Sequence, residues 1–313
     1  QVRVACVQKA ITPVRHIEEY VDHIASFVKQ AAERNSVLIV FPEYVFFDLF
    51  GLLPGFTALN RLLNRQAQTR TTFASSNSGL LPLYTLFAAT AEPMRQAVES
   101  IMCFLAKKYN ITIYSGTYLL KERDGLYNAG TLISDEGVIL GRQKKIHLTD
   151  FEAALGLRRG DELQVFPRHF ARIACPICMD ASYYETFHIA SALGADIVTI
   201  PIANNEPYHV YRSLRGIWPR VQESYVFGLK AALNGWIGGM HFTGKAGIFA
   251  PLEMTDARNG VIAISEHHEG DELVIGDLDF AQLREVREQA EYYGDSNPAF
   301  EAGYVANTYG LDG

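Results

Sequence analysis

The chain of 313 residues is long enough for one large α/β domain or two small ones, and 48% apolar residues supply a sizeable core. A formal charge of −7 argues against a general nucleic-acid or anionic-membrane binder, which needs a basic face. Four cysteines are too few for a disulfide scaffold at this length, so a reducing compartment and a cytoplasmic location are expected.

Strand-like and helix-like segments alternate along the chain. Residues 2–8 read as a strand, after which Thr12 and Pro13 read as the N-cap and first position of a helix. Ile17, Tyr20, Val21, Ile24, Phe27, Val28 and Ala31 recur at helical spacing and mark one buried face. Residues 37–41 are short, continuous and β-branched, as in a central strand. The apolar run 37–56 contains Pro42, Glu43, Asp48 and Pro54, which rules against a membrane helix. Residues 55–90 have weak periodicity, with a loop expected at 75–79, and a helix is predicted to resume at Glu92-Pro93 and run to about residue 109. Strands follow at 111–119, 129–134 and 138–144, the last two joined by a hairpin at Asp135-Glu136-Gly137.

The second half repeats the theme. Strands are expected at 170–177, 196–201, 225–233, 242–250, 260–266 and 272–279, and helices at 183–193, 211–221 and 280–290. No linker or charge block divides the chain. One α/β domain over residues 1–313 is expected, with strands buried between helical layers.

Three reactive side chains follow buried strands, where a rigid scaffold presents groups to a cleft. Glu43 follows an apolar run; burial there raises a carboxyl pKa and suits proton transfer near neutrality. Position alone does not separate this from a solvent-facing glutamate at a strand end. Lys144 and Lys145 end another strand. A lysine held in a cleft stabilises an oxyanion, whereas two at a sheet edge are commonly just solvated. Cys178 ends a third strand at a turn, where a thiol with a nearby base is nucleophilic. Cys175 makes a Cys-x-x-Cys pattern with it, leaving a redox pair or half a zinc site as rival readings. Cys6 and Cys103 form no second pair, and no histidine sits at metal-finger spacing.

Taken in order, these segments resemble the nitrilase superfamily of carbon–nitrogen hydrolases. Phe41-Pro42-Glu43 matches its Phe-Pro-Glu, and Lys145 to Leu148 its Lys-x-His-Leu, which selects Lys145 over Lys144. Ile177 to Asp180 matches Ile-Cys-x-Asp, with the downstream glutamate at Glu185. Trp218 with Arg220 to Glu223, Asn234-Gly235, and Gly244 to Pro251 continue the resemblance. There are departures. Ser182-Tyr183-Tyr184-Glu185 stands where Arg-Phe-Pro-Glu is usual, Arg159-Gly160 stands where Pro-Gly is usual, and an insertion falls at about 55–90.

The resemblance implies a single-domain α-β-β-α sandwich, two central β-sheets flanked by helices. It implies Glu43, Lys145 and Cys178 as a catalytic triad, with Glu152 as a second glutamate holding the lysine and substrate. Met179, through its backbone N–H, and Tyr183, Asn204 and Trp218 are the implied substrate-binding residues. The implied reaction is hydrolysis of a small or medium carboxamide, or of an N-carbamoyl amine, through a cysteine thioester. A nitrilase or a non-catalytic protein of the same fold are the alternatives. No metal or organic cofactor is needed, and a homodimer or higher homo-oligomer is implied.

Overall fold

The computed structural model describes residues 1–69, 80–290 and 297–309; the loop expected at 75–79 lies outside the described residues. The strands in chain order are β1 (Val2–Ala10), β2 (Leu38–Val40), β3 (Thr112–Glu122), β4 (Gly125–Ile133), β5 (Ile139–Lys144), β6 (Val165–Pro167), β7 (Arg172–Ala174), β8 (Ile197–Ile202), β9 (Phe227–Ile237), β10 (Met240–Phe242), β11 (Gly247–Phe249), β12 (Val261–Ile264) and β13 (Glu272–Leu278). The helices are α1 (Ile17–Glu33), α2 (Phe56–Thr69), α3 (Leu80–Tyr109), α4 (Asp150–Leu155), α5 (Tyr184–Ala192), α6 (Val210–Leu214), α7 (Trp218–Ser224), α8 (Phe280–Gln289) and α9 (Pro298–Tyr309).

Alternation along the central strands creates the layers. In β1, Val4 and Cys6 face one apolar cluster while Ala5 and Val7 face another; in β2, Leu38 and Val40 oppose Ile39 in the same way. Such strands are buried on both faces, which explains their near-continuous apolar character. One layer runs β5-β4-β3-β2-β1-β13 and a second runs β6-β7-β8-β9-β11-β12. They stay hydrogen-bonded at one corner, where residues 8–10 of β1 pair in parallel with residues 232–234 of β9. Away from that corner the layers face each other, and Leu38, Val40 and Tyr114 of the first pack with Ile173, Phe227, Leu229 and Ile248 of the second.

Helices cover both outer faces. Tyr20, Ile24 and Phe27 of α1 and Val98, Met102 and Leu105 of α3 pack on the first layer. Phe187 and Ala190 of α5 and Val221 of α7 pack on Val198, Ile200 and Phe249 of the second. Each of the larger apolar side chains among these contributes about 1.5–3 kcal/mol by leaving water. The result is the α-β-β-α sandwich that the resemblance implies. Among the described residues no helix is long and apolar enough to cross a membrane.

Several boundaries differ from the sequence reading. Helix α1 starts at Ile17 rather than Thr12, because the Thr12 N–H is taken by Asp48 Oδ1 (2.8 Å) and that of Val14 by the Asp48 carbonyl (3.0 Å). Helix α3 starts twelve residues before Glu92, and Pro93 lies inside it instead of opening it. The single helix expected at 211–221 is two, α6 and α7, with Gly216 between them. The short strand β6 and helix α4 were not expected. Thr149-x-x-Glu152 is a capping box that the sequence does display, and it starts α4.

The strand directions gather the chemistry. β2 runs parallel to β1 and β3, and β7, β8 and β9 run parallel to one another and to β1. β5 is antiparallel to β4, which is antiparallel to β3. The C-terminal ends of β2, β5, β7 and β8 therefore emerge on one side of the sandwich, and Glu43, Lys145, Cys178 and Asn204 follow them.

Gly116 secures the Glu43 end. It has φ +71°, and a Cβ there would lie 2.1 Å from the Pro42 carbonyl oxygen. Gly116→Ala is expected to cost about 2–4 kcal/mol, from left-handed strain plus the clash, and to displace the residue before Glu43. Urea denaturation measures the first effect, and Cys178 alkylation rate the second.

Candidate active site

Glu43 leaves β2 through Phe41 and Pro42 and is almost fully buried. The next residue, Tyr44, takes a left-handed backbone (φ 54°), held by its N–H donating to Thr117 Oγ1 at 2.9 Å. Tyr44 stacks on Phe47 in the 3-10 turn Val45–Leu52. That turn is anchored by a buried ion pair between Lys9 and Asp48.

Lys145 follows β5 and is buried, with its ammonium between two carboxylates. Nζ donates to Glu43 Oε1 (2.8 Å) and to Glu152 Oε1 (2.9 Å) and Oε2 (2.7 Å). The neighbouring Lys144 points outward by strand alternation, pairing with Glu122 at 2.8 Å and lying over the Tyr127 ring. Glu152 is placed by the capping box of α4: its Oε2 accepts from the Thr149 N–H (2.9 Å) and hydroxyl (3.0 Å). Its Oε1 also accepts from the Tyr44 hydroxyl. Asn128 of β4 bridges both carboxylates, donating to Glu43 Oε1 (2.8 Å) and Glu152 Oε1 (2.9 Å).

Cys178 opens the 3-10 turn Cys178–Ser182 with φ 45°, a left-handed conformation costing about 1–2 kcal/mol for a residue with a Cβ. A strained residue held at a strand-to-helix turn is a common mark of a functional group. Its sulfur lies 3.9 Å from Asn204 Oδ1 and within electrostatic reach of both Glu43 and Lys145. Met179 is the second residue of that turn, where a backbone N–H has no partner within the turn.

Asp180 ties the lysine and cysteine segments together. Its carboxylate accepts from the N–H of Ile177 (2.8 Å), His147 (2.6 Å) and Ile146 (3.2 Å), and lies 3.0 Å from His147 Nδ1.

Electrostatics divide the two glutamates. Burial raises the Glu43 pKa, and the nearby Glu152 adds to the rise against the opposing pull of Lys145. Burial also acts on Glu152, but the Lys145 charge and the hydrogen bonds from Lys145, Tyr44 and Thr149 outweigh it, and its pKa is lowered. Burial lowers the Lys145 pKa less than Glu43, Cys178 and Glu152 raise it, so the ammonium stays charged. The Cys178 thiol is pushed well up by burial and by Glu43, against Lys145. At rest the site therefore holds a thiol, a charged lysine, an ionised Glu152 and a carboxyl with raised proton affinity.

Glu43, Lys145, Glu152, Cys178, Met179 and Asn204 all line one cavity of about 390 Å³. Tyr183 and Trp218 are not among its lining residues. The Tyr183 ring stacks on His147 at 3.9 Å between centroids, and Trp218 Nε1 donates to the Asn259 carbonyl at 2.6 Å. Both side chains are thus engaged outside the cavity lining. Cys175 is buried between the sheets, with its pKa pushed up to about 12 by burial, while Cys178 opens to the cavity; both are free thiols. Among the described residues no group of three His, Cys, Asp or Glu side chains is placed to hold a metal. Sequence reasoning missed Asn128 and Tyr44. A polar residue within the apolar run of β4 is a usable signal for the first, and adjacency to Glu43 is the weaker signal for the second.

A cysteine at a strand end, beside a lysine clasped by two glutamates on a four-layer sandwich, defines a class of thiol-based sites on one scaffold. The carbon–nitrogen hydrolase profile matches residues 3–288, and the chain belongs to that family. It is 25% identical over 295 residues to the probable hydrolase YhcX of Bacillus subtilis (strain 168), a match covering 92% of this chain and 52% of that protein. The chain thus spans about half the length of that relative. It is 26% identical over 204 residues to a citrullinase of Francisella tularensis, covering 62% of this chain and 70% of the relative. Among solved structures it is similar to a glutamate-to-glutamine mutant of the amidase from Nesterenkonia sp. AN1, with TM-score 0.67 and 18% identity over 97% of this chain and 100% of that one. In that structure acrylamide has added at the active-site cysteine.

Asp180→Ala would strand buried N–H groups on both segments, at about 1–3 kcal/mol for each group left unsatisfied. The expected outcome is a destabilised chain whose Cys178 loses its reactivity toward iodoacetamide. Alkylation at the rate of the unsubstituted protein would show that Asp180 does not hold the site together.

Proposed function

We propose that this chain hydrolyses a non-peptide C–N bond of a small or medium carboxamide or carbamoyl compound through a thioester on Cys178. The observation that carries this reading is the buried Lys145 ammonium, held between Glu43 and Glu152 in the cavity that Cys178 enters. Family membership supports C–N hydrolysis, and the Michael addition of acrylamide in the mutant Nesterenkonia amidase shows a nucleophilic active-site cysteine in that protein.

Because the thiol pKa is raised, attack is coupled to proton transfer. Cys178 Sγ forms a bond to the carbonyl carbon as its proton passes to Glu43. Charge developing on the substrate oxygen is stabilised by the Lys145 ammonium and the Met179 N–H, donors already in place before reaction. The C–N bond then breaks, with Glu43 returning its proton to the departing amine. Water attacks the thioester, gives a proton to Glu43, and releases the acid while the thiol is restored. Glu152, with its lowered pKa, stays ionised and holds Lys145. Glu43, with its raised pKa, is the group suited to exchange protons near neutrality. A nitrile would meet the same sulfur, and product analysis on paired amides and nitriles separates the two substrates.

The exposed side chains of Tyr184, Ile189 and Leu193 on and after α5 support the homodimer that the resemblance implies. Light scattering of the purified chain measures it.

Cys178→Ala is expected to abolish turnover with the fold retained, and Cys175→Ala to keep most of it. Lys145→Ala should lose at least a hundredfold in kcat, and Lys144→Ala less than threefold, on the scale of removing one oxyanion donor, about 10²–10³. Comparable losses for Cys175→Ala and Cys178→Ala would favour a redox pair instead.

The pH profile gives a separate check. Glu43 must be ionised to accept the thiol proton, so kcat/KM falls as pH drops through its raised pKa. The acid limb is expected above the ordinary glutamate value of about 4.3. A limb at or below that value would remove Glu43 as the base.

A further inference from the structure

Lys230 lines the cavity, and the hydrolytic cycle gives it no role. It lies in β9, in register with Ile200 of β8, while its neighbours Leu229 and Ala231 point the other way into the inter-sheet core. The ammonium is buried and donates to the Ser213 carbonyl (3.2 Å) and hydroxyl (3.0 Å), both neutral acceptors. Among the described residues no carboxylate pairs with it. Burial lowers its pKa to about 8, which still leaves it mostly charged at neutral pH.

An ion removed from water without a counter-charge costs several kcal/mol. The Ser213 acceptors and the Phe249 ring, whose centroid lies 5.5 Å from Nζ, offset part of this for Lys230, but among the described residues no carboxylate does. Arg212 and Arg215 also line the cavity beside Ser213, and they share one carboxylate, Glu206, at 3.1 and 3.8 Å. This end carries three cations against one anion. The catalytic end carries Glu43, Asp150 and Glu152 against Lys145. Ile200, Ile202, Ile217 and Phe242 supply apolar wall.

The register sets the span. Ala203, whose backbone hydrogen-bonds Cys178, lies three residues along from Ile200, or about 10 Å at roughly 3.3 Å per residue. A substrate with its scissile amide at the sulfur can therefore place its other end at Lys230. We propose that Lys230 receives a carboxylate at that far end, so that the preferred substrate is a carboxamide joined by a short apolar chain to an anionic group, as in the monoamide of a dicarboxylic acid. This deepens the amide-hydrolase reading and rests on it. A carboxylate supplies the counter-charge that the buried Lys230 ammonium lacks among the described residues, at an end where cations exceed anions.

The test compares glutaric acid monoamide and its six- and seven-carbon homologues with the corresponding diamides, their uncharged isosteres. For at least one chain length, kcat/KM of the unsubstituted protein should favour the monoamide at least tenfold. Lys230→Met should collapse that ratio at least tenfold, with the loss carried mainly by KM. Equal kcat/KM for monoamide and diamide, or an equal loss on both in the variant, overturns the proposal. Calorimetric binding of glutarate, adipate and pimelate to the unsubstituted protein, near neutral pH and again above pH 9, reads the same site without turnover. Binding that weakens at least tenfold as Lys230 discharges supports the proposal even if the variant does not fold. Absence of dicarboxylate binding overturns it. Failure to hydrolyse any amide while a dicarboxylate binds in this way sinks the reading of the reaction and leaves the anion site standing.

Discussion

The site depends on one buried ammonium held between two carboxylates. Lys145, Glu43 and Glu152 carry a net charge of −1 when all are ionised, and all three are withdrawn from water. The arrangement holds because the lone pairs facing inward are occupied: Asn128 bridges both glutamates, while Tyr44 and Thr149 donate to Glu152. Removing Lys145 would leave two buried carboxylates without a counter-charge, which costs far more than the pairing itself contributes. The same crowding raises the proton affinity of Glu43 and keeps Lys145 cationic. The packing of the cluster and its shifted proton affinities thus share one cause.

The groups come from distant parts of the chain, and the scaffold must hold them against their own strain. Tyr44 and Cys178 both sit in left-handed backbone conformations that residues with a Cβ avoid. Thr117 holds the first, and Asp180 holds the second through N–H groups on both the lysine and the cysteine segments. Asp180 joins the two β-layers at the point where the chemistry lies. The parallel pairing of β1 with β9 joins them at the sheet level.

The cavity is polar at both ends and apolar between. At one end Glu43, Lys145 and Glu152 are hydrogen-bonded to one another and to Asn128. Its far end is lined by α6 and β9, where arginines reach partly into solvent and Lys230 does not. The two charged ends thus come from different strands: β9 carries Lys230, and Glu43, Lys145 and Cys178 follow the ends of β2, β5 and β7.

Much of this was legible in the residues. Short, continuous apolar runs marked the central strands, and Phe-Pro-Glu, Lys-x-His-Leu and Ile-Cys-x-Asp in order identified Glu43, Lys145 and Cys178 as candidates. Local signals were less secure where tertiary bonds competed with them. Thr12-Pro13 has the chemistry of a helix start, yet Asp48 takes the backbone donor and delays α1 to Ile17. Pro93 has the chemistry of a first turn, yet packing carries α3 through it. Periodicity and motif order act over neighbouring residues, and so the sequence by itself determined the strand and helix types and the reactive groups following them. Only the tertiary structure decided that Asn128 bridges two carboxylates, that Tyr183 and Trp218 are engaged outside the cavity lining, and that Lys230 enters the cavity without a carboxylate partner among the described residues. Those outcomes depend on which faces of distant strands meet and how deeply water is excluded between them, and neither is encoded in the spacing of adjacent residues.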